Sequence, residues 1–158
     1  MSGAVYPPSE KADWPGRRLD WAEAEWDVFV VDDVLGLVSY TGVVLRDADH
    51  DGTPVRVGGI GGLKTHPEAR GRGHAASGLD RTMGFFRIQD PEIEFGLLVC
   101  DDSLLDYYQQ FGWRVFTGDL MTMQQGKSLR FDFNRVMVVD IAGVAPLKGT
   151  IDLKGPPW

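Results

Sequence analysis

The sequence is poor in cysteine, since Cys100 is the only one among 158 residues. A single thiol cannot form a disulfide within the chain, so we interpret Cys100 as a small buried apolar residue. The N-terminal segment MSGAVYPPSEKADWPG lacks the basic flank and the apolar centre of a secretion signal. Because disulfides and signal segments are typical of exported proteins, their absence predicts a cytoplasmic location.

The chain also lacks long apolar runs and an excess of basic charge. No stretch approaches the roughly 18 apolar residues of a membrane span, so we expect no membrane partner. Lys and Arg number 16 against 23 Asp and Glu, which gives a net charge of -7. Nucleic-acid binding draws most of its affinity from Lys and Arg. The charge therefore argues against a nucleic-acid partner and favours a small or cationic ligand.

Three runs of β-branched and apolar residues predict the first strands: WDVFVVDD, VLGLVSYTGVVLR and PVRVGGIGGLKT. The turn-forming pair Asp32 and Asp33 separates the first two, and the acidic segment DADHDG precedes the third. This segment matches the start of a calcium-binding loop, but Gly58 stands where that loop needs a glutamate. We therefore expect a solvated hairpin loop and an antiparallel meander of three strands.

The second half of the chain begins with a predicted amphipathic helix over residues 73–89, where apolar side chains recur every three and four residues. A buried strand, PEIEFGLLVC, follows the helix. DDSLLDYYQQFGW then predicts a short helix that Asp102 or Ser103 caps and Gly112 ends. Two further strands are expected around LMTMQQ and FNRVMVVDI.

These elements predict one α+β domain with a mixed central sheet, in which the helix over residues 73–89 crosses from the meander to a parallel strand. The hydrophobic content of 43% in 158 residues fits one buried core. Residues 1–20, rich in proline, glycine and charge, are expected to form a surface arm. Residues 21–158 are expected to form the domain.

The segment HPEARGRGHA, residues 66–75, lies at the junction between strand and crossover helix. Gly71 and Gly73 allow a tight turn with exposed backbone N–H groups, and the helix start adds the positive end of its dipole. Arg70 and Arg72 supply guanidinium groups, each of which can bind two phosphate oxygens at once. The position at a strand-to-helix junction favours a phosphate or pyrophosphate site over a solvated turn.

A dinucleotide-binding motif is the alternative interpretation, because GRGHAA also satisfies G-x-G-x-x-A, with Asp90 and Glu92 about twenty residues further on for a ribose. In that fold the first glycine follows a strand directly, whereas THPEAR intervenes here. Strands precede the motif, and the alternating β-α series that should follow is missing. The pattern therefore disfavours a dinucleotide-binding domain.

GGLKTHPEARGRGHA resembles motif A of the GNAT acetyltransferase superfamily, in which a long strand ends near a proline and Arg/Gln-x-x-Gly-x-Gly/Ala follows. Arg70, Gly73 and Ala75 match that pattern. DYYQQFGW resembles the second motif of the family, Y-x-x-x-G-F/W, with Tyr108 as its tyrosine. The resemblance covers about residues 25–140.

The resemblance implies acetyl-CoA as cosubstrate and no metal, with strand backbone along the pantetheine arm and the turn around the pyrophosphate. The implied cofactor-binding residues are Leu63, Lys64, Thr65, Arg70, Gly71, Arg72, Gly73, His74 and Ala75. Most members begin with a strand and two helices that shape the acceptor site. The short segment before the first strand here implies a reduced N-terminal helical region, with an acceptor site that is either open or closed by a second subunit in a homodimer.

The reaction of this family is direct attack of a neutral amine on the thioester, which needs oxyanion donors, a proton acceptor and an acid for the thiolate. Backbone N–H groups near Leu63 are the implied donors. Tyr108 is the implied acid, since a phenol of pKa ~10 can protonate a thiolate whose conjugate acid has a pKa of ~8.5; the alternative is a packing role. Many relatives carry a glutamate on the central strand as the base, but residues 59–62 contain no carboxylate.

The last residues, GTIDLKGPPW, resemble the end of aminoglycoside 2'-N-acetyltransferases, in which a C-terminal tryptophan lies near the acceptor and its carboxylate takes part in proton removal. The resemblance implies these roles for Trp158, whose indole could also stack on a sugar. The alternative is a disordered tail. Asp101 and Asp102, which follow the strand PEIEFGLLVC, are expected to pair with ammonium groups of the substrate.

The sequence therefore predicts an acetyl-CoA-dependent N-acetyltransferase that acts on a primary amine, foremost a cationic amino sugar of the aminoglycoside antibiotic type. A protein, peptide or polyamine acceptor is the alternative within this class. A non-catalytic domain that binds or senses acyl-CoA is the alternative outside it, and the missing strand carboxylate would suit that role.

Overall fold

The computed structural model describes residues 19–65 and 73–158. The expected surface arm falls almost wholly outside these residues, as does the turn of residues 66–72. The strands in the described ranges are β1 Trp26–Asp32, β2 Gly36–His50, β3 Thr53–Thr65, β4 Phe95–Cys100, β5 Arg114–Val115, β6 Asp119–Gln124, β7 Lys127–Arg130, β8 Arg135–Asp140 and β9 Thr150–Asp152. The helices there are α1 His74–Arg87 and α2 Leu105–Gln109, and a 3-10 helix, Asp102–Leu104, precedes α2. None of these helices is long and apolar enough to cross a bilayer.

The described strands join one mixed sheet in the order β5-β8-β4-β3-β2-β9-β6-β7, with β1 also paired to β2. β1, β2 and β3 form the predicted antiparallel meander. α1 then crosses to β4, which pairs with β3 in parallel through residues 57–60 and 95–98. The mixed α+β sheet with its crossover helix is confirmed. The dinucleotide-binding alternative is wrong, because most of the strand pairs in the described residues are antiparallel.

The acidic segment DADHDG folds differently from the expected loop. Its first four residues continue β2 and pair with β3, so the turn consists only of Asp51 and Gly52. Both turn residues have positive φ, 50° and 83°, as a tight two-residue hairpin requires. β2 extends this far because β9 pairs with Asp49 and His50 on its other side. Local composition cannot reveal that long-range contact.

Several smaller features also differ from the sequence expectations. The side chain of Asp101, not that of Asp102 or Ser103, caps the 3-10 helix by accepting from the N–H of Ser103. β4 begins at Phe95, after the first four residues of the predicted strand. The sequence patterns do not predict β5, β7 or β9, because these strands are short and β7 is exposed at every position. Their places in the sheet depend on neighbours that are distant in sequence.

Side chains on the two faces of the sheet form two core clusters. On one face, α1 packs Leu79 and Phe86 against Ile60 of β3. Position 58 must be glycine there, since a Cβ atom would lie 2.6 Å from the Phe86 ring. Full burial of one such side chain contributes about 1.5–3 kcal/mol. α1 is therefore fixed against this face of β3.

The last residues of the chain cover part of the opposite face. Trp158 is only 6% exposed. The guanidinium of Arg46 lies 5.2 Å from the centroid of the indole. It also donates hydrogen bonds of 3.2 Å to the carbonyl oxygens of Leu153 and Pro156. The tail is packed into the domain, so the alternative of a disordered tail is wrong.

Candidate functional site

β3 and β4 separate where their pairing ends. Ile60 and Leu98 are the last partners, yet each strand continues beyond that point. Within the described residues, no strand pairs with β3 on its β4 side after Ile60. We call the space between residues 61–65 and 99–100 the strand gap. Its β3 side can offer backbone N–H and C=O groups to an extended ligand.

A β-bulge in β3 lies at the mouth of the strand gap. Two residues of β3, Gly62 and Leu63, stand opposite the single residue Thr41 of β2. Gly62 takes φ 64°, a conformation that glycine adopts without strain. A bulge bends its strand and redirects the groups that follow it. Leu63, the implied oxyanion donor, is therefore placed at the bulge, with a half-buried side chain that packs on the α1-side core.

The N-terminus of α1 lies at the predicted place, next in sequence to the turn. Gly73 precedes it with φ 78°, a left-handed conformation that favours glycine. No side chain in the described ranges caps this end, and the first turn carries no acidic residue. The first N–H groups of an α-helix have no partner within it, so they can bind an anion.

His74 is the first residue of α1 and contributes a second feature. Its Nε2 atom is shielded from solvent and has no hydrogen-bond partner in the described part of the chain. Lys64 and Thr65 end β3, and Ala75 follows His74 in α1, so their backbone lies at the two ends of the turn. Arg70, Gly71 and Arg72 lie outside the described residues. Their phosphate contacts stay predictions.

Tyr108 lies on α2 with only 6% of its surface exposed. Its ring packs edge-on against Trp113, with centroids 6.3 Å apart, and against Tyr107, with centroids 5.2 Å apart. The same core cluster contains Ile60, the last paired residue of β3, and Cys100, at the end of β4. Tyr108 therefore belongs to the group of side chains packed beneath the strand gap.

Cys100 is a nucleophilic side chain at the end of β4, beside the strand gap. Burial, reinforced by the charge of Asp101, raises the pKa of its thiol to about 11. The thiolate is the nucleophilic form of cysteine. The thiol is therefore protonated at neutral pH, and an acyl-cysteine intermediate on this residue is disfavoured.

Asp101 and Asp102 are exposed at the end of β4 but already make contacts. Asp101 accepts from the N–H of Ser103 at 3.4 Å, a long capping bond. Asp102 accepts from Nη1 of Arg135 at 2.9 Å, so a cation already balances its charge. The carboxylate of Asp101 is therefore more available to a cationic ligand than that of Asp102, which is already paired with Arg135. The ammonium-binding role of both residues stays a prediction.

Trp158 lies directly over the β3 and β4 backbones near the strand gap. Its Nε1–H donates to the carbonyl oxygen of Leu97 at 2.9 Å. A Cβ atom at position 59 would lie 2.1 Å from Cε2 of the indole, and one at position 61 would lie 3.0 Å from the main-chain carbonyl carbon of Trp158. The ring is thus packed on the sheet and has little surface for a sugar. The main-chain carbonyl carbon of Trp158, in contrast, lies above Gly61 at the strand gap.

The structure also shows a polar pair that the sequence analysis missed. The Tyr40 hydroxyl donates to Oδ1 of Asp27 at 2.8 Å, across β1 and β2. Burial, followed by the hydrogen bond to Asp27 and its charge, raises the pKa of Tyr40 to about 12. Strand alternation places both residues on one face, but only the register between β1 and β2 brings them together. That register includes a shift between Val30 and Val31 that the sequence does not predict.

No sequence-family model matches this chain, and no curated protein matches it. Solved structures do match. The GNAT family N-acetyltransferase YhbS from Escherichia coli, solved in complex with CoA, matches with a TM-score of 0.55 at 18% identity, over 84% of this chain and 68% of that one. The chain has the GNAT fold.

Two further structures resemble this GNAT-fold chain. The NatC complex bound to Gag peptide and CoA matches with a TM-score of 0.53 at 13% identity, over 72% of this chain and 70% of that one. An acetyltransferase of the GNAT family from Staphylococcus aureus matches with a TM-score of 0.50 at 15% identity, over 72% and 65%. In three other matches this chain spans 20%, 64% and 22% of the length of the other chain. At such identities the likeness shows the fold alone.

Proposed function

We propose that the protein transfers the acetyl group of acetyl-CoA to a primary amine. The observation that carries this proposal is the strand gap beside the N-terminus of α1. The gap offers an extended backbone to the pantetheine arm, and the uncapped helix end offers N–H groups to a pyrophosphate. An acyl-CoA molecule contains both of these parts. The CoA bound in the YhbS structure supports the same assignment.

The environment of His74 fits a phosphate ligand. A buried polar atom without a hydrogen bond costs about 1–3 kcal/mol, and Nε2 of His74 has no partner in the described residues. In the tautomer that carries its proton on Nε2, His74 would donate to a phosphate oxygen. Arg70 and Arg72 would add guanidinium groups around the same anion, and Gly71 would let the backbone approach it.

In the proposed reaction, a neutral amine attacks the carbonyl carbon of the thioester. The C–N bond forms, the C–S bond breaks, a proton leaves the amine and the CoA thiolate takes up a proton. The N–H of Leu63 would donate to the developing oxyanion at the bulge. Tyr108 would protonate the thiolate, since a phenol is a competent acid for it. Direct transfer agrees with the protonated state of Cys100.

Proton removal from the amine needs a base that β3 does not supply. Gly59 and Gly61 point to the face that Trp158 covers, and neither carries a side chain. Where the chain ends at Trp158, its carboxylate would lie over Gly61 and could accept the proton through water. A carboxylate has a pKa of about 3.5 at a chain end, so it would be ionised at neutral pH.

We propose a cationic amino sugar of the aminoglycoside type as the leading acceptor. The acidic composition, the exposed carboxylate of Asp101 and the Trp-ended tail support it. A polyamine or peptide amine is the second candidate. The peptide bound in the NatC complex supports the peptide amine. A domain that binds acyl-CoA without turnover would share the strand gap but would release no thiol.

Thiol release from acetyl-CoA, measured with aminoglycosides, polyamines and peptide amines, tests the proposed function. We expect turnover with primary amines. The Tyr108→Phe variant should lower kcat by about 100-fold, because it removes the acid, and should leave the affinity for CoA unchanged. Calorimetric titration with CoA measures that affinity directly.

Tyr107→Phe is the matched control for this variant. Tyr107 is the neighbouring tyrosine, it contacts Tyr108 and Phe111, and the motif spacing gives it no chemical role. Its loss should change kcat by less than about twofold. Equal effects of the two variants would contradict the acid role of Tyr108. Binding of CoA without turnover of any amine would contradict the proposed acetyl transfer and indicate a domain that senses acyl-CoA.

A further inference from the structure

An aspartate and two aromatic residues lie together on β1 and β2. Cross-strand pairing places Phe29 opposite Tyr40 and Asp27 opposite Gly42. Gly42 pairs in turn with Gly61, which begins the strand gap. We call Asp27, Phe29 and Tyr40 the acidic aromatic cluster. It lies at the same level of the sheet as the strand gap.

The cluster is on the face of the sheet that α1 does not cover. Val30 of β1 lies on the α1 side, because its Cγ2 is close to Gly78 of that helix. Side chains alternate along a strand, so the adjacent Phe29 points to the other face. Trp158 covers Gly61 on that same face. The cluster and the main-chain carbonyl carbon of Trp158 are therefore on one side of the sheet.

The contacts within the cluster leave its charge unbalanced. The Tyr40 hydroxyl donates to Oδ1 of Asp27 at 2.8 Å, and the rings of Phe29 and Tyr40 are 5.7 Å apart. Phe29 is 48% exposed, and Asp27 is exposed as well. No Lys, Arg or His in the described ranges forms an ion pair with Asp27. The cluster thus presents a carboxylate, a phenol oxygen and an open aromatic ring that no cation of the described residues neutralises.

This set of groups is suited to an organic ammonium ion. The carboxylate and the phenol oxygen can both accept N–H bonds, and a charge-assisted bond is about twice as strong as a neutral one. An aromatic ring attracts a cation within about 6 Å of its centroid. Tyr40 stays protonated at neutral pH, so it adds no second negative charge. The exposed ring of Phe29 can also pack against the carbon skeleton that carries the ammonium.

We propose that the acidic aromatic cluster binds a second cationic nitrogen of the acceptor, which makes the acceptor a diamine or polyamine rather than a monoamine. This inference rests on the proposed function. β1 and β3 are two strand spacings apart, or about 10 Å, so the bound nitrogen is distinct from the one that reacts at the strand gap. An acceptor that reaches both places needs two amines separated by several bonds, as in an amino sugar or a polyamine.

Calorimetric titration of the full chain with kanamycin and with spermidine, without acetyl-CoA, tests the cluster. Asp27→Asn should weaken the binding of a polycation about tenfold, while its amide oxygen still accepts from Tyr40. Phe29→Ala should weaken it as well. Asp47→Asn is the matched control, since Asp47 is 89% exposed and lies at the other end of β2. It should bind like the unaltered protein.

Steady-state kinetics add a second readout. Asp27→Asn should raise KM for the polycation with little change in kcat, whereas Asp47→Asn should change neither. Equal affinities of the Asp27→Asn and Asp47→Asn variants would overturn the proposal, as would the absence of polycation binding by the unaltered protein. Binding that depends on Asp27 without any thiol release would uphold the cluster and overturn the proposed acetyl transfer.

Discussion

A methyl group at position 59 would lie 2.1 Å from Cε2 of the Trp158 indole, far inside van der Waals contact. Gly59→Ala should therefore displace the ring or bend β3. We expect it to lower the free energy of unfolding by about 1–3 kcal/mol, the usual range for overpacking. Urea denaturation followed by tryptophan fluorescence measures the change.

The control for this substitution is Gly84→Ala, the same change on α1. A Cβ atom at position 84 meets nothing within 4 Å. Alanine is favoured over glycine inside a helix by about 0.5–1 kcal/mol, so this variant should be more stable than the unaltered protein. A Gly59→Ala variant as stable as the Gly84→Ala variant would refute the packing of Trp158 on β3.

Single residues differ in how well the sequence predicts their role. Gly73 and Gly112 were predictable, because turn and helix-end signals place them, and both have positive φ. The strand glycines Gly58 and Gly59 have a different cause, since Phe86 and Trp158 occupy the space of their side chains. The sequence shows only that these positions carry no carboxylate. The reason for their small size lies in contacts with distant parts of the chain.

The N-terminus of α1 is the element on which cosubstrate binding depends in our proposal. His74→Ala should weaken CoA binding about tenfold, since it removes one hydrogen bond to a charged phosphate. kcat at saturating acetyl-CoA should change little, because His74 does not touch the reacting atoms in this proposal. Calorimetric titration with CoA and initial-rate kinetics measure the two effects.

His50→Ala is the matched control for this element. His50 ends β2 and lies 2.9 Å from the carbonyl oxygen of Lys148, away from the strand gap. It should bind CoA normally. An unchanged affinity for CoA in the His74→Ala variant would contradict the binding of the pyrophosphate at this end of α1.

Elements with strong local patterns were predictable to within a few residues. β1, β3 and α1 follow their apolar periodicity, and the parallel partner of β3 follows from the crossover. β9 has three residues, and its partners are Asp49 and His50 on one side and β6 on the other. The acidic composition of Asp47–His50 suggested a loop, but pairing on both sides outweighs that local preference.

The tail contributes to the stability of the whole molecule. Pro157 accepts from the N–H of Ala22 at 2.7 Å, and Trp158 is packed into the larger of the two core clusters. Trp158→Ala should lower the free energy of unfolding by about 3–5 kcal/mol, the range for a buried tryptophan. Thermal and urea denaturation measure the loss.

Trp26→Ala provides the comparison at this scale. Trp26 is 52% exposed, so its removal should lower the free energy of unfolding by about 1 kcal/mol. Equal losses for the two tryptophans would mean that the tail does not belong to the cooperative unit. The overall fold follows from the sequence, whereas the packing of the tail beside the strand gap does not, because no local pattern specifies the face on which Trp158 lies.

Positions 59 and 158 are also expected to evolve as a pair. A larger residue at 59 is tolerated only after the indole at 158 has been replaced by a smaller group, because the two occupy the same space. Either substitution alone gives a less stable protein, so a substitution at one position is disfavoured until the other position has also changed. Among homologous sequences, glycine at the first position should therefore accompany tryptophan at the second, and the two should be lost together.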